Sequence, residues 1–324
     1  MGSPCEGDRL ALPDSTTLIS VQASAENGDA HAQARLGAAY FRGKGIEQDT
    51  AKAISWLEKS AAGGDSDGQY FLGIYTAGKA KSPAEFQKAA GLLKQSADQG
   101  CIPPLLYLGL LTKQGKGVPK NTDAGMEMIT RAANEGYVPA ELTLGAMLST
   151  GDEIKKDRKT AFEWIKRAAD TGDSAAQIIL AGLYNEGLGT KQDHETSVKL
   201  LESVIKKRDE QSPTAAYALG WMYMEGKGIG INKPKSLELM IFAANSHISD
   251  SQARVKTLTE ELPKQTLVSS CSVYMEPRMG AGGSKEYLRA DKGEQIVVLS
   301  EHADSAEVYF FARPLVGFIA KNCL

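Results

Sequence analysis

Ala32-Gln33-Ala34-Arg35-Leu36-Gly37-Ala38-Ala39-Tyr40-Phe41-Arg42-Gly43-Lys44-Gly45 is the stretch that decides the fold. Ala32, Gln33, Leu36, Gly37 and Tyr40 recur at three- and four-residue steps, the spacing of one helix face. Gly43 and Gly45 then break the helix, because glycine enters the left-handed turn that other residues resist. A second helix follows, with Ala53, Trp56, Leu57, Ser60 and Ala61 on one face, and Gly63-Gly64 ends it. The segment Asp29 to Gly64 is therefore a helical hairpin.

The hairpin repeats. Leu36-Gly37 returns as Leu72-Gly73, Leu108-Gly109, Leu144-Gly145 and Leu180-Ala181, each 36 residues on, and as Leu219-Gly220 after a further 39. The Trp56 slot holds Leu92, Met128, Trp164, Leu200 and Leu239, all large and apolar. The Ala53 slot holds Ala89, Gly125, Ala161, Ser197 and Ser236, all small. Small residues let helix backbones approach, and large ones fill the gap between hairpins. A fixed period of this length marks stacked units that bury their apolar faces against one another. Such a stack offers an extended binding surface in place of a catalytic pocket.

Composition agrees with a folded chain. Of 324 residues, 42% are hydrophobic and 24% charged, and the net charge of -3 gives no sign of nucleic-acid binding. No apolar run approaches the roughly 18 residues of a membrane span. The opening Met1-Gly2-Ser3-Pro4-Cys5-Glu6 lacks the basic-then-apolar pattern of an export signal and the Ser or Thr of a myristoylation site. Met1-Gly2-Ser3 looks like an appended start, so an export signal is expected to be missing from this sequence.

The pattern resembles the Sel-one-like repeat, a relative of the tetratricopeptide repeat. Ala32, Leu36, Gly37, Tyr40, Gly43, Gly45, Lys52, Ala53, Trp56, Ala61 and Gly64 carry the resemblance, and Ala176, Leu180, Tyr184, Gly187 and Gly189 repeat its first half. Departures fall at Gly78, which is one residue early, at Gly151-Asp152-Glu153, and at Lys206 to Glu210, where three residues are added. Residues 18–27 match a second helix alone and Ser251 to Leu262 a first helix alone, as half-repeat caps.

After Pro263 the pattern changes to β-branched and aromatic runs. Gln295 to Ser300 and Glu307 to Ala312 are the clearest strands. Ser272-Val273-Tyr274, Lys292-Gly293-Glu294 and Gly317-Phe318-Ile319 resemble pieces of a bacterial SH-three-like domain. The expected architecture is mainly α: a tail over 1–17, an α-solenoid of six hairpins with caps over 18–262, and a small all-β SH-three-like barrel over 263–324. In that barrel Tyr274, Tyr309, Phe311 and Phe318 are expected to build the core. The barrel would also bring Cys271 and Cys323 together. Bonded, they would close a loop of about 50 residues and contribute on the order of 4 kcal/mol; reduced, they would be two core cysteines, and both alternatives stay open.

Chemistry is sparse. The Gly-x-Gly turns follow no strand and lack the Gly-Lys-Ser/Thr ending of a phosphate loop. His31, His194, His247 and His302 sit at no metal-ligand spacing, Cys5 and Cys101 look isolated, and no metal, cofactor or catalytic set is expected. In related superhelices the first helix of each hairpin lines the concave side. The expected partner-binding residues are therefore Arg35, Arg42, Phe71, Tyr107, Gln114, Ile179, Trp221 and Glu225. Trp56 and Trp164 belong to the packing.

The resemblance implies a non-catalytic, bacterial, exported or periplasmic protein-binding scaffold. Its partner would lie in the concave groove, and in the sharpest version the chain is an immunity protein that neutralises a secreted toxic effector. The alternative is cell-wall attachment, with the barrel binding peptidoglycan.

Overall fold

In a computed structural model the chain is described over residues 5–14, 16–151, 155–267, 271–274, 286–290, 293–301, 305–310, 315–320 and 324. It is a mainly helical repeat solenoid with a small antiparallel sheet near its C-terminal end, and it forms two compact units, Met1–Ala168 and Ala169–Leu324.

The first unit opens with a 3-10 turn over Gly7–Arg9, followed by a lone helix, α1 (Leu18–Glu26). Three hairpins follow: α2 and α3 (Ala30–Arg42, Thr50–Ala62), α4 and α5 (Ser66–Lys79, Pro83–Asp98), and α6 and α7 (Pro103–Gln114, Thr122–Asn134). A fourth, α8 and α9 (Val138–Thr150, Arg158–Asp170), ends just past the unit boundary. The second unit holds α10 and α11 (Ser174–Glu186, His194–Lys207), α12 and α13 (Ser212–Glu225, Lys233–Asn245) and the single α14 (Ser251–Glu261). The lone helices α1 and α14 are the expected half-repeats.

The small slots act as predicted. A Cβ on Gly37 would lie 2.8 Å from the Leu57 side chain, and one on Gly109 would lie 2.7 Å from the backbone oxygen of Gly125. At the second site α6 and α7 cross backbone to backbone. The large slot is displaced by one residue from the prediction. Leu57, Leu93, Ile129, Ile165, Leu201 and Met240 are buried, whereas Trp56, Leu92, Met128, Trp164 and Leu200 are half-buried; in the sixth hairpin Leu239 is buried as well, as expected. A step of about 100° around the helix turns the following residue onto the partner helix and leaves the tryptophan at the edge. There the Lys59 ammonium sits 4.1 Å from the Trp56 ring centroid and the Arg167 guanidinium 5.0 Å from that of Trp164.

Turns follow the glycines. α2, α6, α8, α10 and α12 end on Gly43, Gly115, Gly151, Gly187 and Gly226, all left-handed. α4, where the sequence is out of step, runs to Lys79 and ends on Ala80 with extended backbone. The inserted turn after α11 is fastened by Asp209, which accepts hydrogen bonds from the Ser174 and Ser212 hydroxyls.

The sheet has strands β1 (Gln265–Thr266), β2 (Cys271–Tyr274), β3 (Glu286–Ala290), β4 (Gln295–Glu301), β5 (Ser305–Phe310) and β6 (Leu315–Ala320). Their order is β1-β4-β5-β6-β2-β3, and every pairing is antiparallel. Alternation along β4 and β5 sorts the side chains to two faces. Ile296, Val308 and Phe310 join Leu267, Ala306 and Ile319 in the sheet's own core. Val297, Leu299 and Tyr309 instead pack with Leu237, Met240, Ile241 and Leu258 of α13 and α14. Tyr309 was expected inside the sheet core; its neighbour Phe310 takes that place, because a one-residue step in a strand changes the face. Phe311 and the side chains of Tyr274 and Phe318 lie outside the described residues, as does Cys323 of the expected Cys271–Cys323 bridge.

Candidate protein-binding face

The site begins with a capping position that changes along the repeat. Asp29, Asp65 and Asp173 precede α2, α4 and α10, and each carboxylate accepts the amide hydrogen three residues on at 2.8 Å. Such a cap is worth about 1 kcal/mol, since it satisfies a helix-end donor that has no partner in the helix. At the same step of 36, the third and fourth hairpins carry Cys101 and Tyr137, and neither α6 nor α8 has a side-chain cap.

Both substituted residues bind the chain's own N-terminal segment. Cys101 forms a disulfide with Cys5, with Cα atoms 5.2 Å apart. The Tyr137 hydroxyl donates to one Asp8 oxygen at 2.6 Å, and the Tyr70 hydroxyl donates to the other at 2.9 Å. Burial pushes both phenols well above their ordinary pKa, so they remain donors. Asp67 accepts the amides of Gly7 (2.6 Å) and Glu6 (3.2 Å); burial raises its pKa, and those two amides pull it back. Leu10 is buried in the cluster that contains Ala34, Ala38, Tyr70 and Phe71. Arg35 Nε donates to the Ala11 carbonyl at 2.7 Å. Residues 5–13 thus form a strap across the first helices of the second and first hairpins, reaching the starts of α6 and α8.

These contacts correct two expectations. Cys5 and Cys101 are bonded to each other, and part of the expected tail is packed. Cys5 offered a signal in the sequence, as did the loss of aspartate at positions 101 and 137, but no local pattern joins residues so far apart in the chain.

Beside the strap, an apolar cleft of about 390 Å³ opens between α2 and α4. Asp8 stands at its edge, and Phe41, Arg42, Phe71, Ile74 and Tyr75 form its walls. The Phe41 and Tyr75 rings meet edge to face at 5.6 Å, and the Arg42 guanidinium lies 5.9 Å from the Phe71 ring centroid.

The structure brings some of the sequence-predicted residues together. Arg42 and Phe71 share the cleft, while Arg35 is engaged by the strap. Tyr107 lies behind it, with its ring 6.0 Å from that of Tyr70. Gln114 is exposed at the end of α6. In the second unit, Ile179 is 43% exposed, a large apolar residue on open surface. Trp221 is half-buried, with the Arg254 guanidinium 4.3 Å from its ring and Tyr217 edge-on at 6.5 Å. Glu225 pairs with Lys227 at 2.7 Å.

The remaining polar groups have structural tasks. His31 Nδ1 lies 3.3 Å from Asp65 Oδ2, near Asp67, but Asp65 caps α4 and both Asp67 oxygens hold strap amides. His194 Nδ1 meets Asn185 Oδ1 at 2.9 Å. Buried Glu141 pairs with Arg167 at 2.7 Å; burial raises its pKa, and the guanidinium opposes that shift. Among the described residues no helix is long and apolar enough to cross a membrane.

Helical hairpins repeating at a step of 36 residues define a repeat scaffold. Sel1 repeats match at residues 30–65, 66–101, 105–137, 138–173, 174–206 and 213–247, and the chain belongs to the Sel1 repeat family. Proteins of this family mediate protein–protein interaction. Two solved structures are similar. A Sel1 repeat protein from Oxalobacter formigenes shares 28% identity over 74% of this chain and 68% of its own, with a TM-score of 0.58. A protective antigen present in uropathogenic Escherichia coli strains, with an SLR fold, shares 26% identity over 76% of this chain, with a TM-score of 0.55. This chain spans 52% of that antigen's length. No curated protein sequence matches.

Proposed function

We propose that this protein is a non-catalytic scaffold whose partner docks on the first-helix face, with the cleft between α2 and α4 as its anchor point. The observation that carries this reading is the cleft itself. It joins an apolar floor to the Arg42 guanidinium, and aromatic residues and arginine are favoured anchors because they bury much area with few rotors. Arg42 and Phe71 are the primary contacts in the first unit, joined by Arg35, Tyr107 and Gln114. Ile179, Trp221 and Glu225 form a separate set in the second.

The finer reading is a bacterial exported or periplasmic protein, with the partner a secreted toxic effector that it neutralises. The Cys5–Cys101 disulfide supports the oxidising compartment. We take residues 18–262 as the repeat domain and 263–324 as an SH-three-like domain; the pairing of β2 with β6 supports the latter. Peptidoglycan binding through that domain is the alternative.

A photoreactive residue at position 41 tests the first reading in cells. One protein adduct is expected, lost in Arg42→Glu and Tyr75→Ala; a cleft that captures nothing contradicts it. Sedimentation with purified sacculi that depends on residues 263–324 would favour wall attachment instead.

A further inference from the structure

The strap is held by directional contacts, and those contacts describe a ligand. We propose that the groove under the strap is a receptor for a partner segment that makes one 3-10 turn with the pattern glycine–acidic–any–aliphatic, and that residues 7–10 are its intramolecular competitor. The proposal rests on the protein-binding reading above and names the kind of segment bound.

Each element of the pattern has a recognising group. Gly7 has φ +53°, and a Cβ there would lie 2.6 Å from Pro103 Cγ, so both backbone and space select glycine. The acidic residue is fixed by two phenol donors, one to each oxygen of Asp8. The aliphatic residue fills the buried position of Leu10. Backbone groups are read as well: Asp67 accepts two successive amides, and Arg35 donates to a carbonyl. Cys101 and Tyr137 stand where the first, second and fifth hairpins place a capping aspartate, so the receptor is built at the expense of two helix caps.

The disulfide sets the competition. The backbone ties the strap to α1 at one end and the disulfide ties it to Cys101 at the other, so opening the disulfide lowers the strap's effective concentration from about millimolar and admits a free peptide more readily. A small dithiol opens the latch. Its thiolate attacks the Cys5 sulfur, which is less buried than that of Cys101, and Cys101 leaves as thiolate and takes up a proton. The dithiol's second sulfur then displaces Cys5, giving two cysteine thiols and an oxidised dithiol.

The test is fluorescence anisotropy with a labelled nonapeptide, Ser-Glu-Gly-Asp-Arg-Leu-Ala-Leu-Pro, which carries residues 5–13 with serine for cysteine. We expect binding at least about tenfold tighter to the dithiothreitol-reduced protein and to Cys5→Ser than to the oxidised protein. Alanine for glycine in the peptide should weaken it about tenfold. Equal affinity for latched and opened protein overturns the proposal. So does absence of binding to an opened protein whose helical melting transition is intact. If Cys5→Ser disturbs that transition, reduced Leu10→Ala replaces it; tighter binding than to reduced wild type is expected, and unchanged binding overturns the proposal. A native partner cross-linked at position 41 while the peptide fails would sink this proposal and leave the protein-binding reading standing. Loss of both would sink both.

Discussion

The first and third hairpins begin at equivalent positions and treat them differently. Asp29 caps α2 with its carboxylate, whereas Cys101, 72 residues on, leaves α6 uncapped and bonds to Cys5. Tyr137 repeats the substitution at α8 and bonds to Asp8. At Asp29, Asp65 and Asp173 the slot serves the helix; at Cys101 and Tyr137 it serves the strap. A repeat protein can thus place recognition at a helix start, giving up about 1 kcal/mol of capping for a long-range contact.

Substitutions at the two kinds of slot separate their roles. The largest effect is expected from Cys101→Ser, which opens a link between residues 96 apart in sequence and should lower stability by about 4 kcal/mol in chemical denaturation. Cys101→Asp tests the slot directly. It loses the same bridge but should recover about 1 kcal/mol as a new cap, and no recovery would mean the slots are not equivalent. Leu10→Ala should cost about 3 kcal/mol if the strap is core, and almost nothing if it is a tail. Tyr137→Phe removes one donor to a carboxylate and should cost about 2 kcal/mol, with the change confined to the first unit in hydrogen exchange. Asp173→Ala, at a slot that serves only its helix, should cost about 1 kcal/mol and leave strap protection unchanged.

Much of this was legible in the sequence. The step of 36 residues, the small slot at Gly37, the half-repeat caps and the out-of-step turn near Gly78 follow from patterns a few residues wide, set by helix geometry and glycine sterics. The errors came from single-residue differences in direction. Trp56 and Leu57 are adjacent, and only the packed structure decides which one faces the neighbouring helix. Tyr309 and Phe310 pose the same problem in a strand whose two faces are both apolar, so alternation gave no contrast. Of the expected binding residues, Arg42 and Phe71 line one cleft because first helices share a face. The strap was not found: Cys5 with Cys101, and Asp8 with Tyr137, are contacts that no periodicity encodes.

Disulfide mapping of the unreduced protein by proteolysis and mass spectrometry bears on the strap first of all. A cross-linked pair joining the peptide of Cys5 to that of Cys101 is expected, absent after reduction. A thiol reagent that labels Cys101 in the unreduced, denatured chain, or a bridge from Cys101 to any other cysteine, would contradict it.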